Sequence, residues 1–348
     1  GQDMASKRTK AIERQFFSED FRRANYDGIG SLYFPERTTE AYRERFLSTL
    51  DFELIATKGF NVVVDYSYGI TSSLFPNILA KLGAQVISLN AYIDRTRLTR
   101  TREEFYAACN HVSSIVKSLS CEIGILIDAG GEKIFVSDEH GRFVEEERLM
   151  SLVTKLFLES RRVQGKPVSK IGCPVAASSE MDAVAREYGV ELVRTPNTHG
   201  GMMNAVLKDP SIDFIAGTRG GFIFPEFLFA TDAMYNIAKI LEMMAVTGWR
   251  LGMIDTTVPF YFRRTVDISC PWQAKGRVMR YAMFDSESQR RELIDGIKVH
   301  FDDGAWVLLL PSKEFELFHV FVEAHNEQRA AELAREFEEK VVRWRDND

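Results

Sequence analysis

The chain has 348 residues, 45% of them hydrophobic and 27% charged, with a net charge of -6. Such a composition is globular, and the length suits two to three domains of roughly 100–200 residues each. It excludes a nucleic-acid surface, because excess negative charge repels phosphate backbones, and no apolar run approaches the ~20 residues of a membrane span.

Residues 6–24 read as a helix, with Ile12, Phe16, Phe17 and Phe21 at helical spacing, and 39–50 as a second. Pro35, Gly28 and Gly30 mark the loop between them. Residues 61–65 (NVVVD) form a buried strand, 72–82 a helix stopped at Gly83, and 86–89 the next strand. This βαβ unit implies a parallel sheet with a right-handed crossover. Residues 102–119 are a helix with Phe105, Cys109, Val112, Val116 and Leu119 on one stripe, and 123–127 are a strand ending at Asp128. Residues 146–160 form a further helix.

The same grammar then returns. Strands are expected at 170–175, 191–195 and 213–216, and helices at 180–188, 201–207 and 232–247, with 217–224 as loop and strand. After about residue 263 the pattern changes. Residues 278–284 read as a strand, 287–293 as a short helix, and 296–301, 305–310 and 316–323 as strands. Asp302-Asp303-Gly304 is a hairpin turn, and 327–344 is a terminal helix. The fold class is therefore α/β, two duplicated doubly wound units followed by a small α+β unit.

Gly1 to Arg8 lacks an apolar core behind its basic residues, so no signal peptide is expected, and the absence of an initiator methionine suggests a fragment. Cys109, Cys121, Cys173 and Cys270 form no CxxC pair and fit reduced thiols in a cytoplasmic protein.

One loop concentrates the chemistry. The strand ending at Asp128 runs into Ala129-Gly-Gly-Glu-Lys133, and a second strand leads to an Asp138–Gly141 turn. Two acids at the carboxyl end of a buried strand are a common way to hold a divalent metal beside a phosphate. With this loop, residues 60–90, 217–237 and 295–324 keep the order of the α-D-phosphohexomutases, and the chain resembles that family over about 50–348. The resemblance implies the tail of a truncated first domain and linker at 1–49, domain II at 50–145, domain III at 146–262 and an α+β domain IV at 263–348. It also implies a sugar-phosphate mutase scaffold with Mg²⁺ as the family's cofactor.

The family's chemistry needs a phosphoserine loop, an Asp-Gly-Asp-Gly-Asp-Arg metal loop, a Gly-Glu-x-Ser-Gly type sugar loop and an Arg-Pro-Ser-Gly-Thr-Glu type phosphate loop. No serine loop is present in this chain, so no catalytic residue is assigned. At the metal loop Asp128 is kept, Gly130 replaces the second aspartate, Glu132 stands for the third and Lys133 for the arginine. The sugar loop reads Gly217-Thr-Arg-Gly-Gly221, and the phosphate loop Leu310-Pro-Ser-Lys-Glu-Phe315. A leucine cannot make a bidentate phosphate clamp.

Each candidate carries a plainer reading. Asp128 either ligates a metal with Glu132 or caps its loop by accepting backbone amides, the commoner role for a lone strand-end aspartate. Arg219 is either an anion contact or an exposed loop cation. Ser312 and Lys313 either hold phosphate weakly or form a hairpin tip. His199, near the sugar in the family's arrangement, is a further binding candidate or a structural loop histidine. The expectation is a catalytically inactive phosphomannomutase-like region, with no bound Mg²⁺, in assembly or regulation of a sugar-nucleotide enzyme. The resemblance extends to degenerate regions fused behind mannose-1-phosphate guanylyltransferase-like nucleotidyltransferase domains. The alternatives are an active Mg²⁺-dependent mutase when full length, or a sensor of sugar phosphates or sugar nucleotides. A homo-oligomer is expected, and no nucleic-acid or membrane partner.

Overall fold

A computed structural model describes residues 4, 6–19 and 22–347. Helix α1 (Ser6–Phe17) ends well before residue 24. The Ser18 hydroxyl donates back to the Gln15 carbonyl at 3.3 Å, and Glu19 turns left-handed at φ 54°. Phe21 of the expected stripe lies outside the described residues. Helices α2 (Thr38–Ser48) and α3 (Phe52–Lys58) follow, the second started by Asp51, which accepts the Leu54 N–H at 3.0 Å.

The first sheet is built from β1 (Asn61–Asp65), α4 (Phe75–Lys81), β2 (Gln85–Leu89), α5 (Arg102–Leu119), β3 (Ile123–Ile127), β4 (Ile134–Ser137) and β5 (Phe143–Val144). Its strand order is β2-β1-β3-β4-β5. The first three strands pair in parallel, β4 runs antiparallel to β3, and β5 runs antiparallel to β4, in the direction of the first three. β1 and β3 are almost wholly buried, which is why they read as apolar runs rather than alternating ones.

Helix α6 (Glu146–Val163) leads to the second sheet. This comprises β6 (Lys170–Pro174), α7 (Glu180–Tyr188), β7 (Glu191–Thr195), α8 (His199–Lys208), β8 (Ile212–Ala216) and β9 (Phe222–Ile223), followed by α9 (Ala233–Thr247) and α10 (Leu251–Asp255). The order is β7-β6-β8-β9, again with only the fourth strand antiparallel. The unit repeats β2-β1-β3-β4 of the first sheet in order and direction, without a counterpart of β5. Helix α6 is buried on every side from Leu149 to Ser160, and one apolar core runs from Phe46 to Val258 through both sheets.

The C-terminal unit is a five-stranded antiparallel sheet of β10 (Phe262–Ser269), β11 (Arg290–Glu292), β12 (Ile297–His300), β13 (Trp306–Pro311) and β14 (Leu317–Ala324), with α11 (Trp272–Asp285) and α12 (Glu327–Asp346) packed on it. Two expectations fail here. Residues 278–284 are not a strand but the second half of α11. Ala274, Val278 and Ala282 are buried at steps of four, a helical stripe that a window opening at Val278 hides. Residues 287–293 are not a helix: Arg290 to Glu292 pair with β12, so strand pairing overrides local helix preference. β10 is not signalled at all, because Arg263, Arg264 and Asp267 interrupt its apolar residues.

A buried polar clamp fixes this unit at the carboxyl end of β6. The Pro174 and Ala177 carbonyls accept from the Arg194 guanidinium at 3.4 and 3.0 Å, the Val175 carbonyl from Lys298 Nζ at 3.0 Å, and the Ala176 carbonyl from Arg263 at 2.7 Å. Glu323 accepts the Ser179 N–H at 2.9 Å and the Trp306 indole N–H at 2.8 Å. Lys298 Nζ and Arg263 lie 3.9 and 5.7 Å from the Trp306 ring centroid, and Glu147 pairs with Arg263. Lys298 is 1% exposed. Burial, and then the Arg194 charge, bring its pKa from 10.5 down to about 8.

Between those two values the unfolded chain binds a proton at Lys298 that the folded chain has released, so this residue's contribution to stability rises with pH across the window. Below the lower value both states are protonated and the desolvation penalty is fully present. Urea unfolding from neutral pH to pH 10.5 is expected to show the wild type gaining on Lys298→Met as pH rises. A constant difference between the two would show that this lysine titrates alike in both states.

Candidate functional site

At the end of β3 the chain turns through Asp128–Lys133. Asp128 Oδ1 accepts the N–H groups of Glu132 at 2.7 Å and Lys133 at 2.9 Å. The Asp128 N–H donates to the Lys133 carbonyl at 3.1 Å, and the Gly131 N–H to the Asp128 carbonyl at 3.0 Å. The carboxylate therefore organises its own loop. Gly130 and the Glu132 side chain face solvent. Among the described residues no three His, Cys, Asp or Glu side chains come together as a metal-holding group. The loop offers a dication two carboxylates, Asp128 with one oxygen given to backbone amides and the exposed Glu132, where the family's loop has three aspartates.

The glycine loop after β8 docks directly on the Asp128 loop. The Gly217 N–H donates to the Gly221 carbonyl at 2.9 Å, closing the turn, and the Gly220 carbonyl accepts the Ile134 N–H at 2.9 Å. Gly220, where the family's sugar loop has its serine, sits at φ +72°, and a Cβ there would lie 2.1 Å from the Ile134 carbonyl oxygen. Ala233, the first residue of α9, donates its N–H to the Gly131 carbonyl at 2.9 Å. Arg219 stands exposed at the tip.

Helix α8 begins beside this loop. Thr198 caps it by accepting the Gly201 N–H at 3.1 Å, and His199 Nε2 lies 3.2 Å from the Thr231 hydroxyl. The Thr231 side chain in turn packs against Gly221. On the other side, the Asn197 N–H donates to Asp295 Oδ2 at 3.0 Å. Asp295 also holds Lys313 Nζ at 3.0 and 3.1 Å from its two oxygens.

The hairpin tip after β13 is tied from within. Ser312 Oγ accepts the Phe315 N–H at 3.2 Å, while Lys275 Nζ donates to the carbonyls of Ser312 at 2.7 Å and Phe315 at 2.5 Å. The same ammonium lies 3.4 Å from the Trp272 ring centroid. Leu310 packs with Trp306, Val175 and Ala176.

The fold thus links the loops carrying Asp128, Glu132, Arg219, His199, Ser312 and Lys313 through a continuous series of contacts. Asp295, Asn197, Thr231 and Lys275 escape a reading of the sequence. The Asp295-Gly296 pair signals a turn, but nothing in it points to partners at Asn197 or Lys313.

Two repeated α/β units, a small α+β unit and loops meeting at the strand ends define a scaffold of the phosphohexomutase class. The sequence matches phosphoglucomutase/phosphomannomutase alpha/beta/alpha domain II over residues 40–141 and domain III over residues 145–256. It is 30% identical over 334 residues to a phosphoglucomutase/phosphomannomutase of Thermococcus kodakarensis, covering 95% of this chain and 71% of the relative. It is 29% identical over 353 residues to a probable phosphoglucosamine mutase of Methanopyrus kandleri, covering 99% and 74%. The chain belongs to the phosphoglucomutase/phosphomannomutase family.

Solved structures agree on the fold. A phosphoglucomutase/phosphomannomutase family protein from Burkholderia thailandensis superposes with TM-score 0.79 at 17% identity, over 100% of this chain and 72% of that one. The Aspergillus fumigatus N-acetylphosphoglucosamine mutase, solved with GlcNAc-6P and magnesium, gives 0.63 at 13% identity over 90% and 72%.

Gly220→Ser, which restores the family's serine, is expected to lower stability by on the order of 3 kcal/mol, combining left-handed strain with the clash at Ile134. Urea unfolding measures this, and a variant as stable as the wild type would show that the loop re-docks freely.

Proposed function

We propose that this chain is a phosphohexomutase scaffold that no longer transfers phosphoryl groups. In this reading it binds no Mg²⁺ and serves as an assembly or regulatory unit in sugar-nucleotide metabolism, holding a sugar phosphate or sugar nucleotide where its loops meet. The observation that carries the reading is the Asp128 carboxylate, engaged by two backbone amides with Gly130 in the place of the second aspartate. Phosphoryl transfer relies on neutralised charge, and this loop offers two carboxylates where the family's loop has three to organise a metal for it. Resemblance to regions fused with mannose-1-phosphate guanylyltransferase favours such an enzyme as the partner, covalently or in complex. The free, buried cysteines suit a reducing cytoplasm.

A second reading is a working mutase, favoured by relatives named as mutases that align over nearly the whole chain. One assay separates the two. With Mg²⁺, hexose 1,6-bisphosphate and mannose or glucose 1-phosphate, no isomerisation is expected, and Mg²⁺ is expected to leave the midpoint of thermal unfolding unchanged. Turnover above background would establish the mutase instead. In calorimetry with hexose phosphates and GDP-mannose, Arg219→Ala is expected to weaken binding several-fold, by roughly 1 kcal/mol for one exposed charge-assisted contact.

A further inference from the structure

We propose that the open cleft at the amino edge of the first sheet binds a compact, multiply charged oxyanion, a polyphosphate or a polycarboxylate. The site is separate from the loop cluster and does not rest on the sugar-phosphate reading.

The cleft measures about 660 Å³ and takes its walls from both repeats. Lys117 lies in the last turn of α5, Glu122 leads into β3, and Glu139, His140 and Arg142 belong to the turn between β4 and β5. Arg250 comes from the second repeat, between α9 and α10. β4 runs antiparallel to β3, and Ser137 at its end pairs with Gly124 near the start of β3. The turn after β4 therefore lies at one edge of the sheet and the Asp128 loop at the other.

The charges lining the cleft are unevenly satisfied. Each carboxylate already has one oxygen on a backbone amide: Glu122 Oε2 accepts the Asn61 N–H at 2.7 Å, and Glu139 Oε2 the Gly252 N–H at 2.9 Å. Two of the cations lack such a partner. The Arg250 side chain is 34% exposed, yet its guanidinium makes no hydrogen bond among the described residues; it lies 5.4 Å from the Phe60 ring centroid and 3.7 Å from Glu122 Oε1. The Lys117 ammonium has neither hydrogen bond nor ion pair among them. Arg142 is aimed by the buried Asp138, which accepts its Nε–H at 2.8 Å and its main-chain N–H at 2.9 Å, with the His140 N–H at 3.0 Å.

Three cations on separate walls thus face two partly engaged carboxylates. A guanidinium largely withdrawn from water with its N–H groups unbonded is restored by an anion whose oxygens accept from it and from Lys117 together. Cations so spread favour an anion with several charged groups over a single carboxylate. The bound anion would tie the α9–α10 segment to the first sheet.

The full chain is titrated calorimetrically with inorganic pyrophosphate and, separately, with citrate. Binding of one equivalent is expected, and the tighter of the two identifies the source of the charge. Lys117→Ala, a change at an exposed side chain, is expected to weaken binding about fivefold, and Arg250→Gln about tenfold. Glu122→Gln keeps an oxygen for the Asn61 N–H while removing the countercharge beside Arg250, and is expected to tighten binding about threefold, a direction that a merely structural role does not give. The proposal falls if neither anion binds, if Lys117→Ala binds as the wild type does, or if Glu122→Gln, folded by circular dichroism, fails to bind more tightly. Binding that Arg219→Ala abolishes and Lys117→Ala spares assigns the anion to the loop cluster and equally overturns it.

Discussion

Four successive carbonyls, Pro174 to Ala177, each meet a buried cation, and the rest of the architecture depends on that arrangement. The segment leaves the carboxyl end of a central strand, where α/β proteins keep their ligand crevices. Apart from the Ala177 N–H given to the Pro174 carbonyl at 2.9 Å, these carbonyls have no backbone partner there and would be costly to bury unpaired. Arg194 serves them from the neighbouring strand, Lys298 and Arg263 from the C-terminal unit, and Glu323 and Trp306 supply the countercharge and the ring. The loop is finished only when the third sheet arrives. That requirement sets where the hairpin tip lies, and so which loops can meet.

The family's chemical positions are tied into the fold, two of them through their own segments. Asp128 binds its own loop's amides and Ser312 caps its own turn, while the glycine loop gives its carbonyl to Ile134 of β4. In an active site such groups are held by the scaffold yet kept available for a ligand. Arg219 and Glu132 face solvent.

The sequence was most legible where physics is local or one-sided. Strands 61–65, 123–127 and 191–195 and helices 102–119 and 180–188 have the expected bounds, because buried parallel strands and well-capped helices leave unmixed patterns. The C-terminal unit was less legible. β10 carries charges that the clamp consumes, and β11 owes its state to β12 rather than to its own residues. At the site, Asp128 could be read as a loop cap from its place at a strand end. Asp295 could not be read, since Asn197 is 98 residues away and their meeting depends on how two units dock.

Helix α6 has a consequence of its own. The sequence reads as two repeats, but the helix joining them is buried around its whole circumference, and its Lys155, Glu159 and Arg148 are paired with residues up to 111 positions away. Its main packing partners, α7, α9, α10 and β8, belong to the second repeat, and the first repeat reaches the shared core through α3 and β4 against α9. A cut near residue 145 would therefore divide one apolar core, which the first repeat shares through α9, rather than separate two cores.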